Sequence, residues 1–186
     1  MPRLSEAEKE SRRRRVLDGA RRCFARHGYE GATVVRLERE IGLSRGAIFN
    51  WFGSKQDLFL ALAAEDNARF HTLFAADGVE ALLDAILSDD PDWLAVYHEF
   101  GRLLRSDAAL RERWKELSPE GARQRTLEWI AAGQAEGRLR SDIHPEEVAR
   151  FVGVIVDGVV VQRALGFEPP ERTLLVRLLN DALAAP

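Results

Sequence analysis

A chain of 186 residues, 46% of them hydrophobic, carries an ordinary core and is too apolar to be disordered; its length suits one larger domain or two small ones. Its single cysteine, Cys23, excludes an internal disulfide framework and fits a reducing compartment, and its longest apolar stretch, Val152 to Val161, is interrupted by Asp157 and too short to span a bilayer. The net charge of -3 divides unevenly: residues 1–55 hold thirteen Lys/Arg against seven Asp/Glu, or +6, and the remainder fourteen against twenty-three, or -9, so any phosphate-seeking charge sits in the head of the chain.

The start, MPRLSEAEKESRRRR, has no apolar run behind it, so no secretory signal is expected and a cytoplasmic location is. A first helix is predicted from about Ser11 to His27, with Val16, Leu17, Ala20, Cys23 and Phe24 on one face and Gly28 as its left-handed terminator. The spacing makes Cys23 a core residue. Arg12 to Arg15 read equally as a solvated helix start or as an arm reaching phosphate or the minor groove; cations oppose the dipole at a helix N-terminus, which leans toward the arm.

Thr33 caps a second helix whose inner side is Val34, Leu37 and Ile41. Gly42 makes the turn, Ser44 caps a third helix with Ile48 and Phe52 on its core side, and Gly53 stops it. Ser54 with Asp57 resembles a capping box for a fourth helix to about Ala76. Further helices are expected near 79–88, 92–106, 108–117, 120–136, 145–166 and 171–184, with breaks at Asp90-Pro91, Ser118-Pro119, Gly137, Pro145 and Pro169-Pro170. The β-branched segment VGVIVDGVVV favours a strand by propensity, but Val148, Phe151, Val152, Ile155, Val159 and Gln162 follow helical spacing, so a helix is read there. The fold class is all-α, divided into residues 1–55 and 56–186.

Residues 33–55 have the layout of a helix-turn-helix, whose second helix enters the DNA major groove. The outer side of that helix offers Arg45, Phe49 and Asn50, with Ser44, Gly46, Ala47 and Trp51 beside them. Arginine pairs with guanine, asparagine with adenine, and an aromatic ring or Ala47 meets a thymine methyl. Gly46 lets the backbone approach DNA or the first helix. Thr33 and Ser44 stand at helix N-termini, where amides favour phosphate oxygens, and Lys55 adds a cation beside the same backbone.

On these residues the chain resembles the tetracycline-repressor family over residues 11–62. The match is carried by Ala20, Phe24, Gly28, Tyr29, Thr33, Leu37, Gly42, Ser44, Gly46, Ile48, Phe49, Phe52, Lys55 and Leu58. Phe49 stands where the family usually has Tyr, and Asn50 and Trp51 lie near its usual His or Tyr; both departures bear on base preference. The resemblance implies a homodimer, a palindromic operator, repression by occupancy, and release by a small-molecule effector in the C-terminal helices. RRCFARHGYEGATV, SRGAIF and LFLALAAEDNAR are similar to the aconitase-repressor branch, which implies citrate with a divalent metal as effector.

The last two helices read as a dimer interface, with Phe151, Ile155, Val159, Leu175, Leu178, Leu179 and Ala182 as its candidates; completing the monomer core is the other reading. For the effector, polar residues on apolar helices are the candidates: His98, Arg102, Arg123, Arg125 and Asp157. Three arginines would suit a carboxylate, whereas Trp93, Phe100, Trp114 and Trp129 would suit an apolar compound. His71 and His98 lie in no recognisable metal-ligand spacing, so no metal held by side chains alone is expected. No Ser-His-Asp pattern, phosphate loop or paired-carboxylate motif speaks for an enzyme. A DNA-binding transcription repressor is therefore expected, with an activator or dual regulator, a helical adaptor without DNA binding and an enzyme as the alternatives.

Overall fold

A computed structural model describes residues 5–117 and 121–185, and over these the chain forms nine helices and no strand. The expected break at Ser118-Pro119 lies outside the described residues. Helix α1 (Glu6–Gly31) begins five residues earlier than the apolar pattern indicates. Ser5 Oγ accepts from Glu8 N, and the Glu8 carboxylate accepts from Ser5 N at 2.8 Å. This capping box, with Glu6 and Glu8 in the first turn, satisfies the helix N-terminus and complements its dipole. Arg12 to Arg15 are consequently inside a helix, not in an arm. Arg13 and Arg14 reach Glu65, and Arg15 Nε donates to the Ile41 carbonyl at 3.2 Å. Gly28 takes φ 68° at the bend that ends the regular part of α1.

Helix α2 (Val34–Ile41) is capped by Thr33 and ends on Gly42 at φ 73°; α3 (Arg45–Phe52) is capped by Ser44. Leu37, Ile41, Ile48 and Phe52 point inward onto the buried face of α1. A β-carbon on Gly19 would stand 2.7 Å from Ile41 Cγ1, so α1 and α2 touch without an intervening side chain. Helix α4 (Lys55–Ser88) is one element, and the expected boundary between Ala76 and Val79 is a bend at Gly78, φ 73°. Helices α5 (Pro91–Ser106), α6 (Ala108–Lys115), α7 (Ala122–Ala135), α8 (Pro145–Ala164) and α9 (Arg172–Leu183) follow. The β-branched run of α8 is helical: burial, with Val148, Val152 and Val159 facing inward at helical spacing, overrides propensity.

Two apolar clusters hold the chain. The first joins α1–α3 to the start of α4 and to Trp93, Val96 and Phe100 of α5. The second joins the end of α4 to Ile130 of α7, α8 and α9. The core of the head thus continues past residue 55 into α4 and α5.

The expected interface residues separate. Val159, Leu175 and Leu179 are buried in the second cluster of this same chain, because α8 and α9 turn those positions toward α4 and α7; they are not available to a partner. Ile155 and Ala182 are half-buried. Phe151 (43% exposed) and Leu178 (54%) remain outward, joined by Val154, Val161, Leu165, Phe167 and Leu174.

Candidate DNA interface and effector cavity

Helix α3 is held in place at its N-terminus. Its N-cap Ser44 accepts from Ala47 N at 3.4 Å, and the Glu38 carboxylate accepts from Arg45 N at 2.6 Å, fixing α3 against α2. With Ile48 and Phe52 buried, helical geometry turns Gly46, Ala47 and Asn50 outward together, and Arg45, the first residue of the helix, is exposed at its N-terminal end. No atom comes within 4 Å of a β-carbon built on Gly46, so this glycine does not serve close approach to α1; the open space is on the outer side. Phe49 and Trp51 are half-buried and pack on the first cluster, leaving only their edges at the surface. Thr33 is exposed and accepts from Arg36 N at 3.4 Å. The Lys55 ammonium donates to the Tyr29 carbonyl at 2.9 Å and lies 4.4 Å from the centroid of that ring. It faces the end of α1, where helix dipole and ring both favour a cation.

Behind this head lies a cavity of about 650 Å³ between α4, α5, α7 and α8. Phe70, Phe74, Leu94, Trp114, Val152 and Val156 give it mainly apolar walls, and Asp66, Asn67, His71, His98, Thr126 and Asp157 add polar groups. His71 Nδ1 lies 2.8 Å from Thr126 Oγ1. Burial first, then the charges of Arg123 and Arg125, hold the His71 pKa below the ordinary imidazole value. Desolvation by the apolar groups around it pushes the Asp157 carboxyl up, although the residue keeps solvent exposure.

Of the expected effector residues, His98 and Asp157 line this cavity. Arg102, Arg123 and Arg125 do not: all three are exposed, and Arg123 is 3.4 Å from Glu146. Helix α7 presents Thr126 to the cavity, and the charges of Arg123 and Arg125 are felt by His71 from outside the walls. The arginine cluster expected for a carboxylate is absent from these walls, and among the described residues no group of three His, Cys, Asp or Glu side chains could hold a metal. A second cavity, of about 250 Å³, is bounded by Asp77, Gly78, Glu80, Trp129, Arg138 and Asn180, and it does have a guanidinium in its wall.

Sequence reasoning passed over Asp66, Asn67 and Thr126. The signal for Asp66 was present: it continues the inward stripe Leu62, Ala63, Phe70 as its one charged position.

Residues 16–62 match the family model of bacterial regulatory proteins, tetR family, and residues 75–185 match that of the BetI-type transcriptional repressor, C-terminal part. The HTH-type transcriptional repressor AcnR of Corynebacterium diphtheriae is 39% identical over 98% of this chain and 97% of its own. The HTH-type transcriptional repressor Rv1474c of Mycobacterium tuberculosis is 38% identical over 98% of each. Among solved structures, Salmonella enterica GusR superposes with a TM-score of 0.74 at 22% identity, over 98% of both chains. A putative TetR-family regulator from Rhodococcus sp. gives 0.76 at 20% identity, over 94% of this chain and all of that one. These structural likenesses establish the fold.

Proposed function

Since the chain belongs to the tetR family of bacterial regulatory proteins and is a DNA-binding transcription repressor, we propose that it acts as a homodimer on a palindromic operator and leaves that operator when a small molecule fills its C-terminal helices. The observation that carries this reading is the joint exposure of Arg45, Gly46, Ala47 and Asn50 on a helix whose other side is buried and whose N-terminus is pinned by Ser44 and Glu38. Arginine and asparagine are the side chains that read guanine and adenine bidentately. The exposed apolar residues of α8 and α9 support a two-fold contact, since a partner would cover Phe151, Val154, Leu174 and Leu178.

The walls of the larger cavity favour a mainly apolar effector that offers a polar group to His98 or Asp157. The second cavity supports the carboxylate reading, because Arg138 and Asn180 can meet a carboxylate while Asp77 can meet a cation. A melting-temperature screen separates the two. Stabilisation by planar apolar compounds, lost in Phe70→Asp, supports the larger cavity; stabilisation by citrate plus magnesium, lost in Arg138→Ala, supports the smaller. A compound that stabilises the protein without releasing operator DNA would contradict effector control from either place.

A further inference from the structure

We propose that Asp66 is the positioning residue through which the larger cavity governs the tilt of the DNA-reading head, and that Arg21 is the lever it holds. The inference rests on the DNA-binding reading given above. Asp66 is only 4% exposed and lies in the cavity wall, yet its carboxylate is shared between the two halves of the molecule. Oδ1 accepts from Arg21 Nη1 of α1 at 2.8 Å, and Oδ2 accepts from Trp93 Nε1 and Tyr97 Oη of α5, each at 2.8 Å. Leu94, Tyr97 and His98 of α5 line the same cavity. A buried carboxylate with both oxygens committed is held by its partners, so a ligand that shifts Tyr97 or α5 must alter what Asp66 offers Arg21.

Arg21 has somewhere else to go. Its guanidinium lies 4.5 Å from the centroid of the Trp93 ring, and Nη2 is already 3.4 Å from Asp89 Oδ1. Asp89 is in turn tied to Arg69 at 3.0 Å, and its carbonyl accepts from Arg163 of α8 at 2.8 Å, with the Leu87 carbonyl as that arginine's other partner. Arg21 can therefore leave Asp66 for Asp89 without becoming an unpaired charge. Asp66 would then keep only its two α5 donors, Trp93 and Tyr97, so how firmly it holds Arg21 depends on where the cavity wall places those two. The motion has a direct route to DNA: Arg21 and Gly19 are on the same helix, and Gly19 lets Ile41 of α2 approach so closely that a β-carbon there would stand 2.7 Å from Ile41 Cγ1.

The test is a double-mutant cycle with Asp66→Asn and Arg21→Gln, using a duplex selected by the wild-type protein from random sequences. Asparagine keeps a carbonyl oxygen for Trp93 and Tyr97 and turns an uncharged amide donor toward Arg21, removing both the charge and the acceptor that hold it. Each single variant should bind that duplex about 5- to 150-fold more weakly. The double variant should be no weaker than the weaker single one, because both remove the same constraint. Amide exchange gives a second readout that packing alone would not move. Adding the duplex to wild-type protein should change exchange in residues 91–101, and that response should vanish in Asp66→Asn and in Arg21→Gln. If Asp66→Asn does not fold, Arg21→Gln decides by its affinity and exchange, since its side chain is 30% exposed and tolerates change. Wild-type affinity in the variants, additive losses, or a preserved exchange response would each overturn the proposal. A wild-type protein that selects no sequence would instead remove the DNA-binding reading, and the proposal with it.

Discussion

At the scale of single residues, the head of the molecule divides its side chains into those that build and those that read. Arg45 is exposed while its backbone amide is held by Glu38, so removing the side chain leaves α3 in place. Arg45→Ala should cost about 1–3 kcal/mol in operator binding and relax preference at one position of each half-site, which sequence selection with the variant measures. An unchanged sequence preference would contradict a base-reading role. Lys55, expected from sequence as a phosphate contact, also holds the Tyr29 carbonyl; such a contact depends on where a long side chain turns, which no spacing reveals. His71 makes a pH prediction. Its folded pKa lies below the ordinary imidazole value of 6.5, so as pH falls the unfolded chain takes up the proton first. His71's contribution to stability is complete above about 6.5 and is lost as pH falls through that value toward the folded one. Melting temperatures of wild type and His71→Gln should therefore converge on acidification below about pH 6.5; a constant difference between them would argue against a buried neutral imidazole.

At the scale of elements, the helices follow from punctuation that the sequence states openly. Thr33, Ser44 and Ser54 are caps, and Gly28, Gly42 and Gly53 take positive φ where they stop a helix. The start of α1 was equally legible, since Ser5 and Glu8 have capping-box spacing, but the arginine run drew the reading to Ser11. The bend in α4 was not: Gly78 ends a helical register and starts another without a gap, which spacing reads as two helices. Which side of α8 and α9 faces a partner was also hidden, because apolar residues encircle much of both and only packing on α4 and α7 chooses the inner set. That choice gives a paired prediction. Leu178→Glu, on the exposed side, should yield folded monomers with weakened operator binding. Leu179→Ala, only 4% exposed, should instead cost about 2–5 kcal/mol of stability, as a core truncation does. Sedimentation and denaturant melts of the two variants check this, and a dimeric Leu178→Glu at micromolar concentration would move the interface elsewhere.

At the scale of the whole molecule, a basic head and an acidic helical body share α4 and α5, and the first apolar cluster crosses from one to the other. That continuity gives the proposed effector cavity of the body a packed route to the DNA-reading head. The division of charge was legible from residue counts alone; the meeting of Arg21 and Asp66 was not, because it joins positions 45 residues apart. In the DNA-bound homodimer the two α3 helices should lie about 34–36 Å apart, one duplex turn, which a structure of the complex or a spin-label distance would measure. The most direct test of the central claim is an anisotropy titration of a selected duplex against a scrambled one across salt concentrations. The account predicts a preference of at least about 10³ for the selected duplex, an affinity for both that falls as salt rises, and an inverted repeat in the selected sequence. Equal affinity for the two duplexes at every salt concentration would contradict it.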